Sequence, residues 1–126
     1  MSFHWSDYLT LAESLVTDPA APGPREATLR AAISRAYYAA FCSARNLAKS
    51  RGEIVTTQTA SEHGLVIAHF RGSSEPIRRR IGADLGRLRK HRNSADYDDR
   101  LAGDPLATAK LSVVTARNVL AALSTL

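Results

Sequence analysis

The sequence predicts an all-α protein, a helical bundle forming one domain over residues 1–126. Three observations predict it. Apolar residues recur at three- and four-residue spacing through five segments, and clusters of Gly and Pro separate those segments. Nothing alternates with period two for long enough to make a strand. Val55-Thr56-Thr57 is the only β-prone stretch, and it is too short. Finally, 126 residues suit one domain of roughly 100–150 and exclude two independently cored ones.

The elements follow in order. Residues 3–16 place Tyr8, Leu11, Ala12, Leu15 and Val16 on one helical face, then meet the breaker running from Asp18-Pro19 to Pro22-Gly23-Pro24. A long helix spans about Arg25 to Lys49. Its stripe is Leu29, Ile33, Ala36, Tyr37, Ala40, Ala44 and Leu47, and Gly52 stops it. The many alanines let another helix approach closely. Thr59-Ala-Ser-Glu62 reads as a capping box opening a short helix with Val66, Ile67 and Phe70, which Gly72-Ser73-Ser74 ends. Ser74 then caps a fourth helix with Pro76 in its first turn and Ile77, Ile81, Leu85 and Leu88 as its stripe. Asp104-Pro105 opens the last helix, where Leu106, Ala109, Val113, Ala116, Leu120 and Leu123 alternate by three and four.

Composition narrows the function. Hydrophobic residues make up 44% and charged ones 23%, ordinary for a soluble globular domain. No apolar run approaches the roughly 20 residues of a membrane span, and no basic-then-apolar signal pattern opens the chain. The single cysteine, Cys42, excludes an internal disulfide and reads as a small core residue. The expected setting is therefore the cytoplasm, with no membrane partner.

The net charge is +5, and its placement is more informative than its size. From Arg71 to Ala95, eight cations stand against two carboxylates, a local net of +6. Fourteen of the seventeen cations are Arg, the side chain suited to bidentate phosphate contacts and to stacking on bases. Such a window is either a solvated helix face or a polyanion surface, and its candidate polyanion-binding residues are Arg79, Arg80, Arg87, Lys90 and Arg92.

Arg92 is the most telling position. At 100° per residue, Ile77, Ile81, Leu85, Leu88 and Ala95 fall between roughly 0° and 80°, and Arg92 falls at roughly 60°. A permanent charge thus interrupts an apolar stripe, which is costly unless it is paired or faces a wet cleft. Either it makes a structural salt bridge with Asp96, Asp98 or Asp99, or it marks a site. The surrounding run from Lys90 to Asp99 adds His91, Asn93 and Tyr97. Tyr97 lies about 140° from Arg92 on a continued helix, so the two are expected to converge only if the helix ends or kinks near Ala95.

Other chemistry is sparse. His63 and His69, six residues apart on different sides of the third helix, lack metal-ligand spacing, and no Gly-rich phosphate loop or Gly-x-Ser-x-Gly elbow occurs. No metal and no cofactor is expected. Tyr37-Tyr38 reads as core and interface packing rather than as a base-stacking platform.

Three segments resemble those of HEPN domains (Higher Eukaryotes and Prokaryotes Nucleotide-binding). Ala32-Ile-Ser-Arg-Ala-Tyr-Tyr-Ala-Ala-Phe41 resembles the family's second-helix signature, and Glu62-His-Gly-Leu-Val-Ile-Ala-His-Phe70 its short third helix. Leu88-Arg-Lys-His-Arg-Asn-Ser-Ala-Asp-Tyr97 resembles the Arg-x-x-Ala-Asp-Tyr element of small stand-alone HEPN proteins. The resemblance covers nearly the whole chain. It implies a four- to five-helix up-and-down bundle forming a two-fold homodimer, and either RNA or nucleotide binding or metal-independent ribonuclease activity. It also implies a place in a toxin–antitoxin or anti-phage defence system, with a nucleotidyltransferase antitoxin as partner. The family's active motif is an Arg, then a polar residue, then a His after four to six intervening residues. Arg92 and Asn93 match its first part, but Tyr97 stands where His is expected. Tyrosine titrates near pH 10 and is a poor base at neutrality, so His91 or Asp96 would have to move the proton. The resemblance therefore implies either binding without cleavage or catalysis by Arg92, Asn93, Asp96, Tyr97 and His91 without the standard base. A purely structural interaction bundle is the remaining alternative.

Overall fold

The computed structural model describes residues 2–21, 23–56 and 58–126. Five helices form a bundle: α1 (Asp7–Thr17), α2 (Arg25–Ser50), α3 (Ser61–Arg71), α4 (Pro76–Tyr97) and α5 (Pro105–Leu123). There is no strand among the described residues. Pro22 of the expected breaker and Thr57 of the β-prone stretch lie outside them.

The long α2 is the centre of the bundle and packs against α1, α4 and α5, while α3 packs mainly on α4. Its alanines explain how one helix serves three neighbours. Ala32, Ala36, Ala39, Ala40, Ala44 and Ala48 are fully buried, and their small side chains let other backbones come close. Ile33, Tyr37 and Phe41 fill the space between, and Leu85 and Leu88 meet them from α4. Cys42 lies in this core, where burial pushes its thiol up to about 11. The α3–α4 crossing depends on Gly82. A methyl group there would stand 2.4 Å from the Arg71 backbone nitrogen, closer than atoms can approach.

Several local expectations are corrected. α1 starts at Asp7 rather than near residue 3, and Phe3 and Trp5 instead make a ring cluster with Tyr8. Its inward residues are Leu9, Ala12 and Val16, whereas Leu11 is 44% exposed. The capping box does not form. The N-cap is Ala60, and Glu62 turns its carboxylate inward toward Arg45 at 3.5 Å. Nor does Ser74 cap α4. Glu75 holds the N-cap position, and the Ser73 hydroxyl accepts from its N–H at 3.1 Å. Ile77 is 51% exposed, because the stripe on α4 is covered only from Ile81 onward.

α5 starts as expected, with the Asp104 side chain accepting from the Ala107 N–H at 2.8 Å. An 18-residue window of this 19-residue helix reaches a mean hydropathy of 1.3, enough by length and composition to cross a membrane. The expectation that no apolar run approaches that length is therefore corrected. Lys110 and Arg117 interrupt the run, yet its Ala, Leu and Val residues outweigh them. In the bundle one face of this helix packs on α2, α4 and α1.

One contact positions the functional region. Arg30 of α2 donates to the carbonyls of Ala95 (3.1 Å), Asp98 (2.6 Å) and Asp99 (3.2 Å). These include the orphan carbonyls that every helix C-terminus leaves, and a cation there also suits the helix dipole. The end of α4 is thereby tied to α2, and the chain leaves it in extended conformation at Asp98.

Candidate functional site

Arg92 stands where α4 faces α2, with only 14% of its side chain exposed. Its Nε donates to Asp96 Oδ2 at 3.0 Å, one terminal nitrogen donates to Asn93 Oδ1 at 2.9 Å, and the other donates to the Tyr38 hydroxyl. Of the three aspartates offered as its partner, Asp96 takes the role. The i, i+4 spacing places that carboxylate one turn along the same face. Asp98 and Asp99 instead present their backbone carbonyls to Arg30.

The guanidinium also lies among aromatic rings. Its carbon is 5.0 Å from the Tyr38 ring centre, 5.9 Å from Tyr37 and 5.6 Å from Tyr97. Arg92 and Tyr97 thus meet although α4 runs unbroken to Tyr97, so the expected condition of a helix end near Ala95 is not needed. The long arginine side chain spans the angle that helix geometry opens between them. Tyr97 is 74% exposed and forms the outer lip.

Residues from α2 and α3 complete the cluster, and the sequence reading did not single them out as a site. The Ser34 hydroxyl donates to Asp96 Oδ2 at 3.3 Å and accepts from Arg35 at 3.2 Å. The Arg35 guanidinium lies 4.8 Å from the Tyr8 ring and 5.2 Å from that of Tyr38. His63 Nδ1 is 2.5 Å from the Tyr37 hydroxyl, and its ring stacks on Phe41 with centroids 4.3 Å apart. Burial, then the charges of Arg89 and Arg92, push the His63 pKa below its ordinary value, so its neutral form is favoured. Burial also raises the Tyr37 pKa far above the normal tyrosine range. Arg89 keeps its Nε buried without a hydrogen-bond partner. Arg92 directly and Arg35 through Ser34 thus stand around the Asp96 carboxylate, while Arg89 and Arg92 both act on Tyr37 and His63. The signal for this was available in part, because Ser34, Arg35 and Tyr38 all lie in the Ala32–Phe41 segment, but only packing shows which of them face α4.

The other expected site residues sit elsewhere on α4. At 100° per residue, Arg79, Lys90, Arg87 and Arg80 fall at roughly 200–300°, well away from Arg89, Arg92 and Asp96 at roughly 60–120°. On that outer face Arg79 donates to the Ser73 and Ser74 carbonyls, while Arg80 and Arg87 share the buried carboxylate of Asp84. Lys90 is exposed. The single basic cleft expected around Arg92 is thus two faces: an exposed, partly neutralised stripe and an inner cluster. His91 belongs to neither. It is half-buried, its pKa lowered by burial and by Lys90, and it makes no hydrogen bond or ion pair among the described residues. Asn93 is exposed and positions the Arg92 guanidinium.

Among the described residues no group of His, Cys, Asp and Glu could hold a metal ion. What the inner cluster can do is hold an anion. Three of the five N–H donors of Arg92 are used internally, and Arg35 and Arg89 have no carboxylate of their own among the described residues. The chain matches no family model, no curated protein and no solved structure.

Proposed function

We propose that this chain is a HEPN-like RNA- or nucleotide-binding protein whose phosphate contact is the inner cluster around Arg92. The observation that carries this reading is the excess of guanidinium over carboxylate in a half-buried, aromatic-lined setting. Arg92 and Arg35 stand around Asp96, and Arg89 joins Arg92 beside Tyr37 and His63, with Tyr38 and Tyr97 beside the charges. Low local dielectric strengthens such a field, and tyrosine rings offer faces on which a base can stack. The exposed stripe of Arg79, Arg80, Arg87 and Lys90 adds a longer-range attraction for a polyanion. The family resemblance supplies the rest of the proposal. It implies an up-and-down bundle forming a homodimer in a toxin–antitoxin or anti-phage defence system with a nucleotidyltransferase partner, and composition adds a cytoplasmic setting without a membrane role. The test is retention of a labelled single-stranded RNA at low salt. Binding should weaken steeply as salt rises, and Arg92→Gln should weaken it further. No retention at low salt would leave only a structural bundle in which Arg92 and Asp96 fix the helices.

One observation favours a second reading, a metal-independent endoribonuclease. Neither His91 nor Asp96 is well placed to move the proton: His91 is outside the cluster and Asp96 is held by Arg92 and Ser34. His63, however, is an imidazole in its neutral form, joined to the cluster through Tyr37 and Tyr38. It could accept the proton of a ribose 2′-hydroxyl while Arg92 stabilises the developing phosphorane charge. Incubating the protein with RNA in EDTA decides this. Cleavage lost in both His63→Ala and Arg92→Ala supports the enzyme, and intact RNA with the unaltered protein rejects it.

A further inference from the structure

A cavity of about 500 Å³ opens beside the Arg92 cluster, between the N-terminal segment, α2 and the start of α3. Its volume lies within the roughly 300–1,000 Å³ typical of small-ligand sites. Tyr38 and His63 belong to both the cavity and the cluster, so the two are continuous. The cavity wall combines three kinds of group. Trp5 offers an aromatic face, its ring fixed edge-on by Phe3 at 4.9 Å and by Tyr8 at 5.6 Å. Arg45 and Lys49 supply positive charge one helical turn apart, beside the positive N-terminal end of α3. The Glu62 carboxylate lies in the wall, with its Oε1 buried and lacking a hydrogen-bond partner.

Arg45 links these groups. Its guanidinium carbon lies 5.6 Å from the centre of the Trp5 ring, and one nitrogen is 3.5 Å from Glu62 Oε1, an ion-pair distance without a hydrogen bond. Oε1 is enclosed and paired with Arg45, so the Glu62 oxygen left to accept from a ligand N–H is Oε2. An aromatic wall, two cations with a helix N-terminus, and a carboxylate acceptor together match the three parts of one nucleotide.

We propose that this cavity is a nucleotide pocket that holds one guanine nucleotide unit. The base lies against Trp5 and the phosphate lies between Arg45 and Lys49. Glu62 Oε2 accepts from the guanine N1–H and amino group, a pair of adjacent donors that adenine and uracil do not present. The inference rests on the RNA or nucleotide reading above and adds to it the place and identity of one base. The unit could be a free nucleotide or a residue of an RNA chain whose next phosphate reaches Arg92.

Trp5 is the only tryptophan of the chain, so its emission reports the pocket directly. The full protein is titrated with GMP, AMP, UMP, inorganic phosphate and a short guanine-containing single-stranded RNA, with calorimetry alongside. GMP should change Trp5 emission saturably and bind more tightly than AMP or UMP. Arg45→Ala and Lys49→Ala should each weaken GMP binding roughly tenfold, the worth of one charge-assisted phosphate contact. Glu62→Gln should remove the preference for GMP over AMP, with circular dichroism showing the helices intact. RNA binding more tightly than GMP identifies a residue of an RNA chain, and the reverse identifies a free nucleotide. The pocket is overturned if no nucleotide gives a saturable response, or if both cation variants bind GMP like the unaltered protein. RNA retention without any nucleotide response refutes the pocket alone, whereas loss of both refutes the RNA reading as well.

Discussion

Replacing Asp96 with asparagine separates a phosphate anchor from a structural salt bridge, because the two roles predict opposite signs. Asp96 is the carboxylate that Arg92 and Ser34 hold, so Asp96→Asn removes one negative charge from the cluster. At about 5 Å and a water-like dielectric constant of about 80, one unit charge contributes about 0.8 kcal/mol to holding a phosphate, roughly fourfold in affinity. The substitution keeps the side-chain shape and a hydrogen-bonding oxygen for Arg92 and Ser34. Its stability cost follows from burial: Arg92 and Asp96 are 14% and 28% exposed, between a surface pair and a buried one. A loss of about 1–2 kcal/mol is expected. Arg92→Gln should destabilise by a similar amount but weaken RNA binding at least as much as Asp96→Asn strengthens it. The assay is fluorescence anisotropy of a labelled single-stranded RNA at low salt, paired with urea unfolding of each variant. The anchor reasoning fails if Asp96→Asn leaves affinity unchanged or lowers it while still folded. The pair would then serve only to join α4 to itself and, through Ser34 and Tyr38, to α2.

Two further outcomes are expected. Gly82→Ala should cost about 1–3 kcal/mol or more, because its methyl group would meet the Arg71 backbone, whereas Gly86→Ala should be tolerated. At Gly86 the added carbon meets only the mobile end of the Arg71 side chain at 3.4 Å, and alanine is the better helix former. Urea unfolding of the two variants side by side checks this, and equal losses would show that the α3–α4 crossing yields freely. The second concerns acid. Arg78, donating to both oxygens of Glu53, together with the His69 hydrogen bond, holds the Glu53 carboxyl down at about 2, from an ordinary 4.5. A carboxyl depressed on folding contributes stability that is full above its unfolded pKa and is lost as pH falls toward the folded one. Thermal unfolding should therefore show a loss between about pH 4.5 and 2 that Glu53→Gln removes, and an unchanged acid profile in that variant would refute it.

The helices were legible because their signals are local. Apolar spacing placed α2, α4 and α5, and Asp104-Pro105 placed the start of α5 where its side-chain cap is seen. Local signals misled where tertiary contacts compete for the same side chain. Glu62 had the spacing of a capping-box residue, yet Arg45 on α2 draws it inward, and an ion pair across helices takes the place of a cap. Leu11 and Ile77 had stripe spacing, but burial needs a neighbour opposite, which a sequence period cannot supply.

The same division holds for the site. The sequence by itself determined that Arg92 must be either paired or functional, because a permanent charge in an apolar stripe has no third stable state. It also placed Asp96 one turn away as a candidate partner. Only the tertiary structure decided the company of that pair. Packing α2 on α4 brings Ser34, Arg35 and Tyr38 to it across a separation of more than fifty residues, and α3 adds His63. The same packing leaves Arg79, Arg80, Arg87 and Lys90 on another face. The reason is geometric: helix periodicity fixes which residues of one helix share a face, but which face meets which is set by the fit of all five.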